Sequence, residues 1–206
     1  MFKRKCKITF IAHGSTIYSE DNRLTDKLDY PPLNENGELE LEKIVDFIKK
    51  RGLKTNKIYA SPALVTVQSA EILADELKQD FETLPDLYNR KCGIWSGLSF
   101  SQIEKKYPDM LEQLHQNPLG FCPENGETIH DFNERIEKII NEIIEKNLRG
   151  RVIIVTHPSI IQSAIKSALN IPAENQYKIY IRPASATQIS YYEDWASLIY
   201  SGYKPL

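Results

Sequence analysis

The chain is predicted to be an α/β protein in which helices cover a mostly parallel sheet, with an inserted region lying over the sheet. Three observations predict this. Short apolar runs suited to buried strands alternate with stretches of helical periodicity, which is the order that places helices on a parallel sheet. Gly, Pro, Asn and Asp mark most of the changes between them. The length of 206 residues, 41% of them hydrophobic, supports one sizeable core and is short for two. One domain over 1–206 is therefore expected, with about 80–127 as the insertion.

The elements follow in order. Lys7-Ile8-Thr9-Phe10-Ile11 ends apolar and suits a buried strand. A polar loop over 19–36 leads to a helix over 38–51, where Leu41, Ile44, Val45 and Ile48 recur at helical spacing and Gly52 offers a C-cap. Lys57-Ile58-Tyr59-Ala60 is a second strand, punctuated by Ser61 and Pro62, and 63–78 returns to helix with Ile72, Leu73 and Leu77 on one face. Over 80–127, Pro85, Gly93, Gly97, Pro108, Pro118, Gly120 and Pro123 interrupt short helical pieces such as 99–107. A long helix over 128–146, with Ile129, Phe132, Ile136, Ile139, Ile140 and Ile143 at core spacing, feeds the strand 151–156. A helix over 160–169 and terminal strands at 178–181 and 187–192 complete the pattern.

Composition excludes some functions. A formal charge of −2 gives no electrostatic reason to expect nucleic acid. Cys6, Cys92 and Cys122 are odd in number and lack the paired spacings of a zinc site or a disulfide framework, so they read as reduced thiols of a cytoplasmic protein. The apolar run near the start is broken by His13 and Gly14, which suits neither a signal segment nor a membrane span. A small-molecule ligand is the expected partner and a protein partner is the other option; no cofactor, metal, nucleic acid or membrane is expected.

The candidate chemistry lies at two histidines. In open α/β sheets ligands collect at the carboxyl ends of strands, and His13 and His157 both stand there. His115 and His130 fall in helical contexts and read as surface or cap residues.

The motifs around them resemble the histidine phosphatase superfamily, in its phosphoglycerate mutase-like branch. Ala12-His13-Gly14 resembles that family's Arg-His-Gly motif, and the loop from Asn22 to Gly37 is similar to the segment leading into its first helix. Ser61-Pro62 with Gln68-Ser69-Ala70 resembles the second motif, and Leu87 through Gly93-Ile94-Trp95-Ser96-Gly97 the segment that carries the acid. Gly126-Glu127-Thr128 with Arg135 resembles a helix start, and Val155-Thr156-His157 the second-histidine motif. The resemblance implies a three-layer phosphoglycerate mutase-like fold with a lid. It also implies a reaction in which one histidine attacks phosphorus, two arginines and a second histidine hold the phosphoryl oxygens, and a carboxylic acid protonates the leaving oxygen.

Five positions depart from that pattern. Ala12 and Val65 stand where the two arginines belong, Asn89 replaces the acid, Ser19 replaces a phosphate-contacting asparagine, and Pro158, which has no N–H, replaces a glycine. A charge-assisted bond is worth about 1.5–3 kcal/mol, and a donor aimed at a transition state about 3–4 kcal/mol. Their joint loss removes several powers of ten in rate.

The expectation is therefore a divergent member that is no efficient phosphatase or mutase. In it His13 and His157 are the catalytic pair, Ser15, Arg23, Asn89 and Glu127 are candidate ligand-binding residues, and the pocket serves a less charged small molecule. Trp95, Tyr88 and Phe121 are expected to pack under the lid. Two other functions are open: a non-catalytic pseudophosphatase that binds a partner protein, and a weak phosphomonoesterase in which Arg23, Arg90 or Lys91 replaces the missing cations.

Overall fold

The computed structural model describes residues 3–26 and 31–205. Within the loop resembled to the family's first-helix segment, positions 27–30 lie outside the described residues.

In chain order the elements are β1 (Arg4–Ala12), α1 (Ile17–Glu20), α2 (Glu35–Lys50), β2 (Lys57–Ala60), α3 (Leu64–Leu77), β3 (Phe81–Thr83), α4 (Phe100–Lys106), α5 (Pro108–Gln116), α6 (Ile129–Lys146), β4 (Arg151–Thr156), α7 (Pro158–Ala168), β5 (Ala186–Tyr192) and β6 (Ala196–Tyr203). They form one six-stranded sheet in the order β3-β2-β4-β1-β5-β6. β1 to β4 run parallel, and β5 and β6 are antiparallel additions at one side.

Period-2 alternation sorts the two faces. Ile8, Phe10 and Ala12 of β1, with Val152 and Ile154 of β4, pack under α6 and α7. Ile11, Ile153 and Val155 pack on the other face, under α2 and α3. Those helices present the stripes their sequences predict, including Leu41, Ile44 and Ile48 on α2 and Phe132, Ile136 and Ile140 on α6. The result is the expected three-layer α/β arrangement.

Caps explain where the boundaries move. α2 begins at Glu35, ahead of the expected 38, because the Asn34 side chain accepts from the Gly37 amide. α7 begins at Pro158 rather than 160, with the proline at its first position, where a missing N–H costs nothing to the helix.

Three features differ from the sequence reading. The segment 178–181 is not a strand: a 3-10 turn (Ala173–Lys178) occupies its start, and the Ile179 carbonyl accepts from Gln162 Nε2 of α7 instead of joining the sheet. β6, unforeseen, follows a tight turn where Tyr192 and Trp195 stack at 4.1 Å. β3 lies inside the segment expected as the insertion yet belongs to the sheet.

The covering part comes after β3 and has its own small core of Trp95, Ile103 and Phe121, in which the Trp95 and Phe121 rings lie 5.1 Å apart. Tyr88 instead packs its ring against the Arg135 guanidinium, 3.5 Å away. No helix among the described residues is long and apolar enough to cross a membrane. All three cysteines are free thiols.

Candidate functional site

Parallel pairing brings the two histidines together. Ala12 of β1 is in register with Thr156 of β4, so the residues that follow each strand leave the sheet side by side. The His13 amide still donates to the Thr156 carbonyl at 2.9 Å, and the His13 carbonyl accepts from Ala184 at 2.9 Å. Beyond it the chain turns against the first turn of α2, where a Cβ on Gly14 would stand 2.6 Å from the Gly37 carbonyl oxygen. Only glycine permits that approach.

The rings meet edge-on, with centroids 5.2 Å apart and planes at 73°. His13 is 8% exposed and His157 3%. His13 Nδ1 lies 2.8 Å from the Gly14 carbonyl, which can only accept; Nδ1 therefore carries the proton and Nε2 keeps a free lone pair. His157 Nε2 shares a 3.1 Å hydrogen bond with Ser61 Oγ.

Burial pushes the proton affinity of both rings down. For His13, desolvation outweighs the opposing Gly14 hydrogen bond and the Glu40 charge. His157 is driven further down, by desolvation first and by His13 second. The pair is accordingly neutral at pH 7, with a nucleophilic nitrogen on one ring and a hydroxyl-linked nitrogen on the other.

The pair forms the floor of a cavity of about 710 Å³, a size typical of small-molecule sites. Its walls are mainly apolar, among them Tyr18, Leu24, Trp95, Phe100, Leu114 and Pro183. Ser19, Arg23, Asn89 and Pro158 also line it.

Each has its polar groups engaged, or has none to offer. Ser19 forms a reciprocal cap with Thr16 at the start of α1. Arg23 pairs with Asp21 at 2.9 Å. Asn89 is a bracket: its Nδ2 donates to the Thr25 carbonyl at 2.7 Å, and its Oδ1 accepts from Ser159 Oγ at 2.5 Å and from the Arg90 amide at 2.9 Å. Pro158 supplies no N–H.

Two expected ligand-binding residues do not face the cavity. Ser15 is buried, and both its amide and its hydroxyl donate to Glu40 Oε2, at 3.2 and 2.7 Å. Glu127 is held by both Nε and Nη2 of Arg135, at 2.9 and 2.8 Å, in an ion pair whose side chains are 10% and 15% exposed. Arg135 also donates to the Asp86 and Tyr88 carbonyls.

The two positions where the resemblance places arginines offer no cation either. Ala12 is fully buried in the core beneath α6 and α7, and Val65 is buried at the start of α3.

Several residues of the cavity escaped the sequence reading. His115 of α5 lines it, as do Gln162 of α7 and Glu174 and Tyr177 of the 3-10 turn. The apolar face of α5, visible in the spacing of Leu111 and Leu114, was the available signal for His115. Arg90, considered as a replacement cation, lines the cavity and donates to the Glu127 carbonyl and the Tyr177 hydroxyl, both neutral. Lys91 lies over the Tyr88 ring instead. Burial raises the Cys92 thiol to about 12, so it stays protonated. Among the described residues, the groups close enough to share a metal ion are His130, Asp131 and Glu134, all exposed on α6 and apart from the histidine pair.

Comparison with known proteins agrees with this layout. The family model of the histidine phosphatase superfamily (branch 1) matches residues 8–201. A bifunctional protein of Mycobacterium tuberculosis, Rv2228c, is 25% identical over 193 residues, which are 94% of this chain and 52% of that one. The chain thus spans about half the length of that relative. Phosphoglycerate mutase-like protein 4 of Arabidopsis thaliana is 24% identical over 79% of this chain and 70% of its own.

Among solved structures, the alpha-ribazole phosphatase of Shigella flexneri superposes with a TM-score of 0.85 at 16% identity, covering 97% of this chain and 98% of that one. YhfR of Bacillus stearothermophilus superposes with a TM-score of 0.86 at 20% identity, covering 96% of each chain. These likenesses establish the fold. The paired strand-end histidines, the three-layer sheet and a family match over nearly the whole chain lead to one assignment: this chain belongs to the histidine phosphatase superfamily, branch 1.

Proposed function

We propose that this chain is a divergent histidine phosphatase-fold protein that is no efficient phosphatase or mutase, and that its two-histidine cavity receives a less charged small molecule. The observation that carries this reading is the neutral floor. His13 and His157 are both desolvated to their uncharged forms, and buried Ala12 and Val65 stand where the resemblance calls for arginines. A phosphoryl dianion brought to that floor loses its hydration without gaining a cation, at a cost of several kcal/mol. A neutral or weakly charged molecule avoids that cost and meets mainly apolar walls.

The pair retains chemical capacity toward such a ligand. His13 Nε2 carries the free lone pair and acts as base or nucleophile, oriented by its Nδ1–H bond to Gly14. His157, tied to Ser61, exchanges a proton from the adjoining ring. Asn89 positions the wall by joining the Thr25 loop to α7, and as an amide it gives up the acid's role.

The test is a panel of phosphate monoesters with the wild type and with His13→Ala, together with phosphohistidine detection after exposure to a phosphodonor. The reading expects no His13-dependent hydrolysis above background and no phosphohistidine. Turnover that disappears in His13→Ala, with phosphohistidine formed in the wild type, overturns it.

A second reading has one observation in its favour. Arg90 lines the cavity and, among the described residues, its side chain bonds only neutral groups. A weak phosphomonoesterase using Arg90 as its cation loses its activity in Arg90→Gln.

A further inference from the structure

Behind the turn that carries His13 lies a charged network with no part in the cavity. Ser15, two residues on, gives both its amide and its hydroxyl to one oxygen of Glu40, at 3.2 and 2.7 Å. The other oxygen of Glu40 receives Lys204 Nζ at 2.5 Å. The ion pair is largely enclosed, with side chains 22% and 23% exposed. Glu40 and Phe47 are two helical turns apart and share one face of α2. Phe47 packs on Tyr203 at 4.5 Å and on Tyr200 at 6.2 Å, so β6 lies along that face and delivers Lys204 to Glu40.

We propose that Glu40 and Lys204 are a positioning pair for His13: Glu40 clamps the turn at Ser15, Lys204 holds Glu40, and the end of β6 thereby governs the setting of the pocket floor. The proposal rests on the reading of His13 as the reacting group.

Three features support it. Each Glu40 oxygen has a separate task, so the loss of either partner frees one oxygen of the carboxylate. The close approach of Gly14 to Gly37 makes the turn stiff, and a shift at Ser15 is passed on to His13. The titratable groups nearest His13 are His157 across the floor and Glu40 behind the turn; Tyr18, Arg23, Arg90, Cys92, His115, Glu174 and Tyr177 stand elsewhere along the cavity. The Glu40 charge draws a proton toward His13 against the larger effect of burial, and Lys204 opposes that draw.

The experiment is an NMR study of the full chain as wild type, Lys204→Met, Lys204→Arg and Glu40→Gln, reading Ser15 amide exchange and the titration of the His13 ring. Ser15 exchange is expected to quicken about tenfold in Lys204→Met and Glu40→Gln. The His13 midpoint should rise by roughly half a pH unit in Lys204→Met, which leaves the carboxylate unopposed, and fall in Glu40→Gln. Lys204→Arg should restore both readings.

Wild-type exchange at Ser15 in both variants overturns the proposal. Altered exchange with unmoved midpoints overturns its electrostatic half, and a His13 ring that fails to titrate before acid unfolding in every protein counts as unmoved. If Glu40→Gln does not fold, the two Lys204 variants decide. These readings need no turnover, so they stand or fall separately from the proposed function, whose own test is phosphate ester hydrolysis with phosphohistidine detection.

Discussion

The floor of the cavity and its rim treat charge in opposite ways. At the floor, burial disfavours the charged forms of His13 and His157. At the walls and rim, Arg23, Arg90 and Glu174 carry formal charge, while Arg135 and Glu127 spend theirs on each other behind the cavity. In a phosphoryl-transfer site the charge is required where the reacting group sits. Here the charged groups stand outward, and Arg23, Arg90 and Arg135 bond to neighbouring chain segments.

The largest expected effect lies at the support of the rim. Arg135→Ala leaves Glu127 nearly buried with no cation, only the Lys91 amide still donating to its Oε2, and frees two backbone carbonyls. Breaking such a pair costs about 3–5 kcal/mol, which thermal or urea unfolding measures directly. A loss below about 1 kcal/mol would mean that the pair behaves as a solvent-screened one and does not hold the support of the rim.

Next comes the Asn89 bracket. Asn89→Ala removes bonds to the Thr25 carbonyl and from Ser159, at an expected cost of about 1–3 kcal/mol. Asn89→Glu should gain no phosphatase activity, because the floor still lacks its cations. A gain on a phosphate ester panel would show that the missing acid alone had silenced the site.

Acid tests the floor itself. Both histidines hold their protons less tightly folded than unfolded, so below the unfolded value near 6.5 the unfolded chain binds more protons. Stability from this source is complete above about pH 6.5 and is lost as pH falls toward and through the lowered folded values. His157→Gln should flatten the fall in melting temperature between neutral and mildly acid pH. An unchanged slope would mean that His157 is not desolvated as described.

The smallest effect is expected at the exposed part of the rim. Arg23→Ala breaks a half-exposed pair with Asp21, worth about 0.5 kcal/mol or less.

The contrast between floor and rim also marks what the sequence could disclose. The strands 57–60 and 151–156 and the stripes of α2 and α6 are legible because strong periodicity leaves one register that buries their apolar residues. β3 has only three residues, too few to show a period, and Lys178-Ile179-Tyr180-Ile181 alternates like a strand but is drawn to α7 by Gln162.

At the floor, the meeting of His13 and His157 is readable because each stands at the end of a strand in a local motif. At the rim, roles depend on neighbours far along the chain. Ser15 turns inward to Glu40, Glu127 is claimed by Arg135, and His115 joins the cavity because α5 folds over it. No local pattern encodes those meetings.

On the proposed reading, the histidine floor does not hold a phosphoryl-like anion. Titration of the wild-type protein with orthovanadate, followed through the imidazole signals of His13 and His157, tests it most directly. No saturable shift of either ring is expected up to millimolar vanadate at neutral pH. Saturation in the micromolar range, lost in His13→Ala, would contradict it.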